Sequence, residues 1–441
     1  MMKNEASAII GREPMGTLQI LAIATCVLLN ALDGFDILSI SFASPGIARE
    51  WGIERAALGV VLSMELIGMG FGSILIGTLA DRFGRRPAIL GSLVVMVIGM
   101  FLASRAADVS TLSLYRFCTG LGIGGMLACT NAMVAELAND RSRNLSVAIM
   151  ASGYPIGAAA GGTIASMILQ GGNWHTVFLF GASATAIMLP VAWLLLPESV
   201  SFLARRNAPD ALARINRVLA RMGKPAADSL APVAPASVPV VSLFRPGLAL
   251  VTTLLGVAYF THIITFYFIL KWVPKIVADM GFTPAVAGGV LVWANIGGAL
   301  GSLFLSFLTT RFNTRMLVIA ALLLSSAMVI VFGRIPPEIP VISLVVGMVG
   351  FCTNGAVVGI YAMIADAFPT DLRAGGTGFV IGIGRGGAAL GPIVAGLLFA
   401  AGAALPTVAS VMALGSLIAA AALTILTLRQ RTIGRPIQNA G

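Results

Sequence analysis

Of 441 residues, 58% are hydrophobic and only 10% are charged, and 28 lysines and arginines against 18 acids leave a formal net charge of +10. So little charge cannot cover a soluble globule of this size, which excludes a water-soluble enzyme and leaves a chain threaded repeatedly through a membrane. The basic excess then reads as a topology signal and not as a nucleic-acid footprint.

A hydrocarbon layer about 30 Å thick takes roughly 20 apolar residues per helix. Stretches of that kind fall at 17–44, 56–80, 88–105, 110–138, 144–170, 175–196, 247–278, 284–310, 314–334, 338–368, 373–401 and 405–428. No period-two alternation runs through them, which argues against a β-barrel. The expected fold is an all-α polytopic membrane protein with twelve transmembrane helices in two six-helix halves. The halves are 1–196 and 247–441, the second ending in a short cytoplasmic tail, and 197–246 is a cytoplasmic central loop. That loop opens on Pro197-Glu-Ser, carries an amphipathic surface helix around Pro209–Met222, and ends in a Pro/Ala/Ser/Val-rich linker. Residues 1–15 lack the basic start and apolar core of a cleavable signal. Arginine and lysine cluster at 82–86, 141–143, the central loop, 311–315, 373 and the C-terminal tail, so both termini and the loop are expected in the cytoplasm. Cys26, Cys118, Cys129 and Cys352 lie inside predicted helices without metal-ligand spacing and read as small core residues.

Charge inside these apolar runs carries the functional signal. In the first helix, Leu32-Asp-Gly-Phe-Asp36 places two carboxylates three residues apart on one face, with Gly34 allowing a neighbour to approach. Bare in lipid they would be costly, so Asp33 and Asp36 face a wet cavity or a cation, either handling protons or locking helix packing. Glu65 in the second helix has no assigned role. The turn Gly77-Thr-Leu-Ala-Asp-Arg-Phe-Gly-Arg-Arg86 follows, where Gly77 and Gly84 permit close approach and a tight bend. In the fourth helix Arg116 needs a carboxylate, either from a substrate or from the protein, where Asp33 and Asp36 are the candidates, and it precedes Gly120-Leu-Gly-Ile-Gly-Gly125, a helix-contact surface and not a phosphate loop. Glu136 closes that helix. In the seventh helix His262 is a candidate relay or a satisfied packing residue, and Lys271 reads as snorkelling to the outer surface. Thr310-Arg-Phe-Asn-Thr-Arg315 faintly repeats the first half's turn, without its aspartate and glycine. In the eleventh helix, Arg385 within Gly384-Arg-Gly-Gly-Ala-Ala-Leu-Gly-Pro392 has open space around a planar cation able to hold a carboxylate at two points.

The turn at 77–86 closely resembles the loop signature of the major facilitator superfamily, and the resemblance spans the chain. It implies a gate made of Asp81, Arg82, Gly84, Arg85 and Arg86, with Arg373 a further gate candidate through Asp366 or Asp371. Within the superfamily, Asp33-Gly-Phe-Asp36, the Arg116 helix and the run from Phe368-Pro-Thr-Asp-Leu-Arg373 through Pro392 resemble the aromatic acid:proton symporters of the 4-hydroxybenzoate and benzoate type. That likeness implies proton-coupled uptake of an aromatic carboxylate through a bacterial inner membrane, by alternating access, in a monomer surrounded by lipid. Asp33, Asp36, Arg116 and Glu136 would handle the proton. Arg385, Arg116, Phe35, Tyr154, Phe266, Tyr267, Trp293 and His262 would line the substrate site. No nucleotide loop, metal-spaced His/Cys cluster or catalytic set is present in the sequence, so neither cofactor nor enzymatic activity is expected. Two alternatives are a drug:proton antiporter, whose fifth-helix Gly-Pro signature is not matched by Gly153-Tyr-Pro-Ile-Gly157, and a non-transporting aromatic-acid receptor.

Overall fold

The computed structural model describes residues 5–206, 209–229, 240–369 and 372–432. Among these residues every regular element is a helix. They are α1 (Glu5–Arg12), α2 (Thr17–Trp51), α3 (Arg55–Phe83), α4 (Arg85–Ala103), α5 (Val109–Leu137), α6 (Arg143–Leu169), α7 (His175–Leu195), α8 (Val200–Arg205), α9 (Ala211–Arg221), α10 (Ala249–Asp279), α11 (Pro284–Leu308), α12 (Thr314–Phe332), α13 (Ile339–Ala367), α14 (Arg373–Ala400) and α15 (Leu405–Thr432). Twelve of them, α2–α7 and α10–α15, are long and apolar enough to cross a membrane. The boundaries follow the hydropathy reading with one marked difference. Helix α2 runs on through Pro45 to Trp51, because a proline withdraws a single backbone bond and neighbouring helices compensate for it. The surface helix of the central loop is α9, which buries Ala211, Ile215 and Leu219 and leaves its arginines outward. The short segments α1 and α8 were not legible as helices, and Thr370 and Asp371 lie outside the described residues.

The chain folds as two compact units, the first of Met1–Ala43 with Met64–Ala236, the second of Ser44–Ser63 with Ser237–Gly441. In the first, α4 packs on α5 and α7, and in the second α12 packs in the same way on α13 and α15. Glycines drive the remaining contacts. On α3, Gly68 and Gly72 sit against the backbone of α5, where an added Cβ would lie 2.2 Å from the Phe117 carbonyl and 2.1 Å from that of Leu121. Gly297 and Gly301 on α11 stand in the same relation to Gly347 and Phe351 of α13. Likewise Gly153 and Gly157 of α6 meet α2, and Gly387 and Gly391 of α14 meet α10. Apolar side chains gain little by association inside lipid, so close backbone approach through small residues four apart is the main packing device. It recurs at matching places in both units.

Candidate functional site

The first unit buries a charged cluster completely. Asp36, Glu65 and Arg116 are each 0% exposed and Asp33 is 1% exposed. Arg116 of α5 forms an ion pair with Glu65 of α3 and donates from Nη2 to the backbone carbonyl of Asp36 on α2 (2.8 Å). Its Nη1 donates to the Met100 sulfur of α4 (2.8 Å), and its guanidinium lies 5.3 Å from the Phe178 ring centre on α7. One cation thus ties five helices together. Glycine makes this geometry possible, because a Cβ at Gly120 would lie 2.1 Å from the Glu65 carbonyl, and one at Gly34 would lie 2.1 Å from that of Tyr154. Only bare backbone at those positions lets α5 reach α3 and α2 reach α6. The Asp36 carboxyl lies beside the Thr185 hydroxyl of α7 and within electrostatic reach of the Arg116 guanidinium and of Glu65. Arg116 thus touches Asp36 through its main-chain carbonyl and pairs directly with Glu65, a partner absent from the sequence-based set. A signal for it existed: Glu65 lies ten residues after Arg55 and Arg116 seven after Val109, about one turn apart in depth from the same end of the bundle.

Glu136 does not join these carboxylates. Its side chain stands at the other end of α5, where it pairs with Arg85 (2.7 Å) and accepts a hydrogen bond from the Ser199 hydroxyl. The turn there reduces to one residue, Gly84, whose φ of 112° only glycine adopts readily and whose Cβ would meet a Glu198 oxygen at 2.3 Å. Glu198 Oε1 accepts the backbone N–H groups of Arg85 (2.9 Å), Arg86 (3.3 Å) and Ser199 (2.8 Å), so a carboxylate from the central loop caps α4. Arg86 donates to the Trp193 carbonyl (2.6 Å) and covers that ring. Arg82 lies over Phe83, and Asp81 is exposed without an ion pair among the described residues. Gly77 has nothing near its missing side chain, so it makes no close approach. Arg373 is exposed at the start of α14 and forms no ion pair with Asp366 among the described residues.

Burial pushes the Glu198 carboxyl above its ordinary 4.5, while the three backbone donors and Arg86 pull it back down. A raised acid pKa means the folded protein holds the proton more firmly than the unfolded chain, so the stability this group contributes is full below 4.5 and is lost as pH rises through the raised value. The unfolding temperature of wild type relative to Glu198→Gln is therefore expected to fall between pH 4.5 and 7. A difference that is flat or rises over that range, in thermal unfolding of the purified protein, contradicts this assignment.

In the second unit Arg385 of α14 is half-buried, and no carboxylate pairs with it among the described residues. Beside it Tyr259 of α10 and Tyr361 of α13 join their hydroxyls at 2.8 Å, both within electrostatic reach of the guanidinium. Gly384 admits the Tyr259 ring, since a Cβ there would lie 2.1 Å from it. Phe266 and Tyr267 are half-buried and meet edge to face at 5.3 Å. The pairing of these two hydroxyls joins residues 102 apart in sequence and depends on the contact between α10 and α13.

Other candidates are committed elsewhere. His262 is fully buried, its Nε2 donating to the Thr353 carbonyl (2.9 Å) and its Nδ1 bonded to the Ser416 hydroxyl (2.9 Å), which makes it a clamp across α10, α13 and α15 with no nitrogen left for substrate. Phe35 is 3% exposed and packed edge-on against Phe180. Lys271 is 0% exposed, so it does not snorkel. Trp293 is 52% exposed, and Tyr154 is half-buried with its carbonyl against Gly34.

Twelve spanning helices, two units with matching internal pairing and charge buried at mid-helix define a membrane transporter and not an enzyme. The chain belongs to the major facilitator superfamily, whose profile matches residues 26–273 and 255–441, and within it to the aromatic acid transporters. It is 30% identical over 426 residues to the gallate transporter of Pseudomonas putida, covering 95% of this chain and 93% of that one. It is 32% identical over 395 residues to the 4-hydroxybenzoate transporter PcaK of Pseudomonas putida, covering 88% of each. In fold it is similar to the D-xylose-proton symporter, with a TM-score of 0.70 and 16% identity over 91% of this chain and 97% of that one.

Proposed function

We propose that this protein imports an aromatic carboxylate, such as a hydroxybenzoate or benzoate, together with protons across a bacterial inner membrane. In this reading both termini lie in the cytoplasm, and the chain works as a monomer by exposing its site to the two sides in turn. The observation that carries it is Arg385, a half-buried guanidinium without a carboxylate partner among the described residues, flanked by two tyrosine hydroxyls. Such a cation recruits an anion, its planar fork holds a carboxylate at two points, and the phenols offer partners to a ring hydroxyl. Proton handling falls to Asp36, supported by its burial beside the Arg116–Glu65 pair. The gallate and 4-hydroxybenzoate transporters among its relatives support this substrate class.

The test is uptake of radiolabelled aromatic acids into proteoliposomes with and without an inward proton gradient. Accumulation of one acid that collapses with a protonophore is the expected result, and binding without accumulation defeats the proposal. Arg385→Lys keeps the charge but loses the fork, at a cost of about 1–2 kcal/mol for one charge-assisted bond. We expect KM for that acid to rise about tenfold, with kcat changed much less. An unchanged KM would remove Arg385 from the site.

A further inference from the structure

In the second unit, α13 leaves one strip open through its middle. From Cys352 to Ile360 every residue is buried except Asn354 and Val358, and the strip continues to Tyr361, which is 38% exposed. Spacings of four and three residues put these three side chains on one helix face. Tyr361 joins its hydroxyl to that of Tyr259 on α10 (2.8 Å), within electrostatic reach of Arg385, so the strip belongs to the same site as that guanidinium. Asn354 stands two turns from Tyr361, about 10 Å along the axis at 1.5 Å per residue. Its amide is half-buried against the backbone of Gly298 on α11, where an added Cβ would lie 2.7 Å from Asn354 Nδ2. It has no hydrogen-bond partner among the described residues, whereas the amide of Asn295 on the same α11 face is tied to the Leu291 carbonyl (2.9 Å). An unbonded amide in a dry helix contact is costly, and on an open strip it is placed to meet water or a ligand.

We propose that Asn354 is the residue that selects among aromatic carboxylates, by bonding a hydroxyl on the ring at the end away from the carboxylate. This rests on the reading that Arg385 holds the carboxylate of such a cargo. A charged pole at Arg385 and Tyr361, with a neutral polar group two turns along α13, fits an anion that has polar atoms at both ends of one ring. Val358 between them offers the ring an apolar contact. The hydrogen-bond chemistry matches as well, because a phenolic hydroxyl both donates and accepts, and an amide supplies an acceptor oxygen and N–H donors. A hydroxyl adjacent to the carboxylate falls at the charged pole and does not reach Asn354. Discrimination follows because a ring without the distal hydroxyl leaves the amide facing an apolar edge, and a site built to bond a hydroxyl rejects the analogue that lacks it. Gly298 is a positioning residue, since the three atoms nearest to its missing side chain all belong to Asn354.

The experiment is equilibrium binding of radiolabelled benzoate, 2-hydroxybenzoate and 4-hydroxybenzoate to the purified full-length protein in nanodiscs. Wild type is expected to bind 4-hydroxybenzoate about tenfold more tightly than the other two, the worth of one net hydrogen bond. Asn354→Leu, close in volume, is expected to remove that preference by weakening 4-hydroxybenzoate alone. Gly298→Ala, which pushes the amide aside, is expected to reduce the preference in the same way. Thermal unfolding is checked for each variant, and Gly298→Ala decides if Asn354→Leu does not fold. A wild type without the preference, a preference that survives in the folded variants, or an equal loss for benzoate and 4-hydroxybenzoate overturns the proposal. The carboxylate reading is scored separately: benzoate binding that Arg385→Lys weakens keeps it even when Asn354 proves irrelevant. A wild type that binds none of the three acids defeats that reading and this proposal with it.

Discussion

Arg116→Ala is expected to lower the stability of the protein by about 3–5 kcal/mol and to abolish uptake. The magnitude follows from what remains behind. Glu65 is 0% exposed, and without the guanidinium its charge is buried with no cation beside it, the situation in which breaking an internal pair costs most. Arg116 also bridges α2 through the Asp36 carbonyl and α4 through Met100, so its loss frees an acceptor in the same dry space. Glu65→Leu alone strands the opposite charge and is expected to destabilise by a similar amount. The double variant Arg116→Met with Glu65→Leu removes both charges at nearly constant volume, and such replacements are often neutral or stabilising. Its unfolding temperature is therefore expected to return most of the way to wild type, while uptake stays absent. If the two losses simply add in the double variant, measured by thermal unfolding in nanodiscs, the pair is not the unit described here. If the double variant still accumulates substrate, the pair holds structure only.

Hydropathy made the twelve spans legible because lipid imposes a length and a composition on each crossing. It failed where a helix is held by something else. Helix α1 is short and polar, and its residues are tied down by contacts far away in sequence, such as Glu5 with Ser229 (2.9 Å). The functional residues divide along the same line. Asp33, Asp36, Arg116 and Arg385 stood out because a charge in an apolar run is rare. Their partners did not, since pairing depends on which helices touch. That information was nonetheless present in the small residues: Gly68 with Gly72 and Gly120 with Gly124 mark the α3–α5 seam across which Glu65 meets Arg116. Glu136 was misplaced for the complementary reason. It shares α5 with Arg116 but lies twenty residues on, about 30 Å along the axis, and belongs to the turn that Gly84 and Glu198 build. For His262 the sequence left a relay and a satisfied packing residue both open, because it shows the ring's chemistry and not its neighbours, and both nitrogens prove to be occupied.

Asp36→Asn is expected to abolish accumulation while leaving exchange of labelled for unlabelled substrate measurable. Asparagine has the shape of a protonated carboxyl and cannot release the proton. A cycle that needs Asp36 to load on one side and unload on the other therefore stops at the step where the empty carrier returns, whereas exchange, which never resets the empty carrier, continues. The position suits that task, because Asp36 is fully buried and shares the field of one guanidinium, Arg116, with a second buried carboxylate, Glu65, that pairs with it directly. An ionised carboxylate in such a place is costly by several kcal/mol, so its charge state is tied to whatever else enters or leaves the site. The same substitution leaves no stranded charge, in contrast to Arg116→Ala, and the folded protein is expected to retain its thermal stability within about 1 kcal/mol. Gradient-driven accumulation by Asp36→Asn at the wild-type level would move the coupling to another carboxylate, and loss of both exchange and accumulation in a stable variant would make Asp36 part of substrate binding instead.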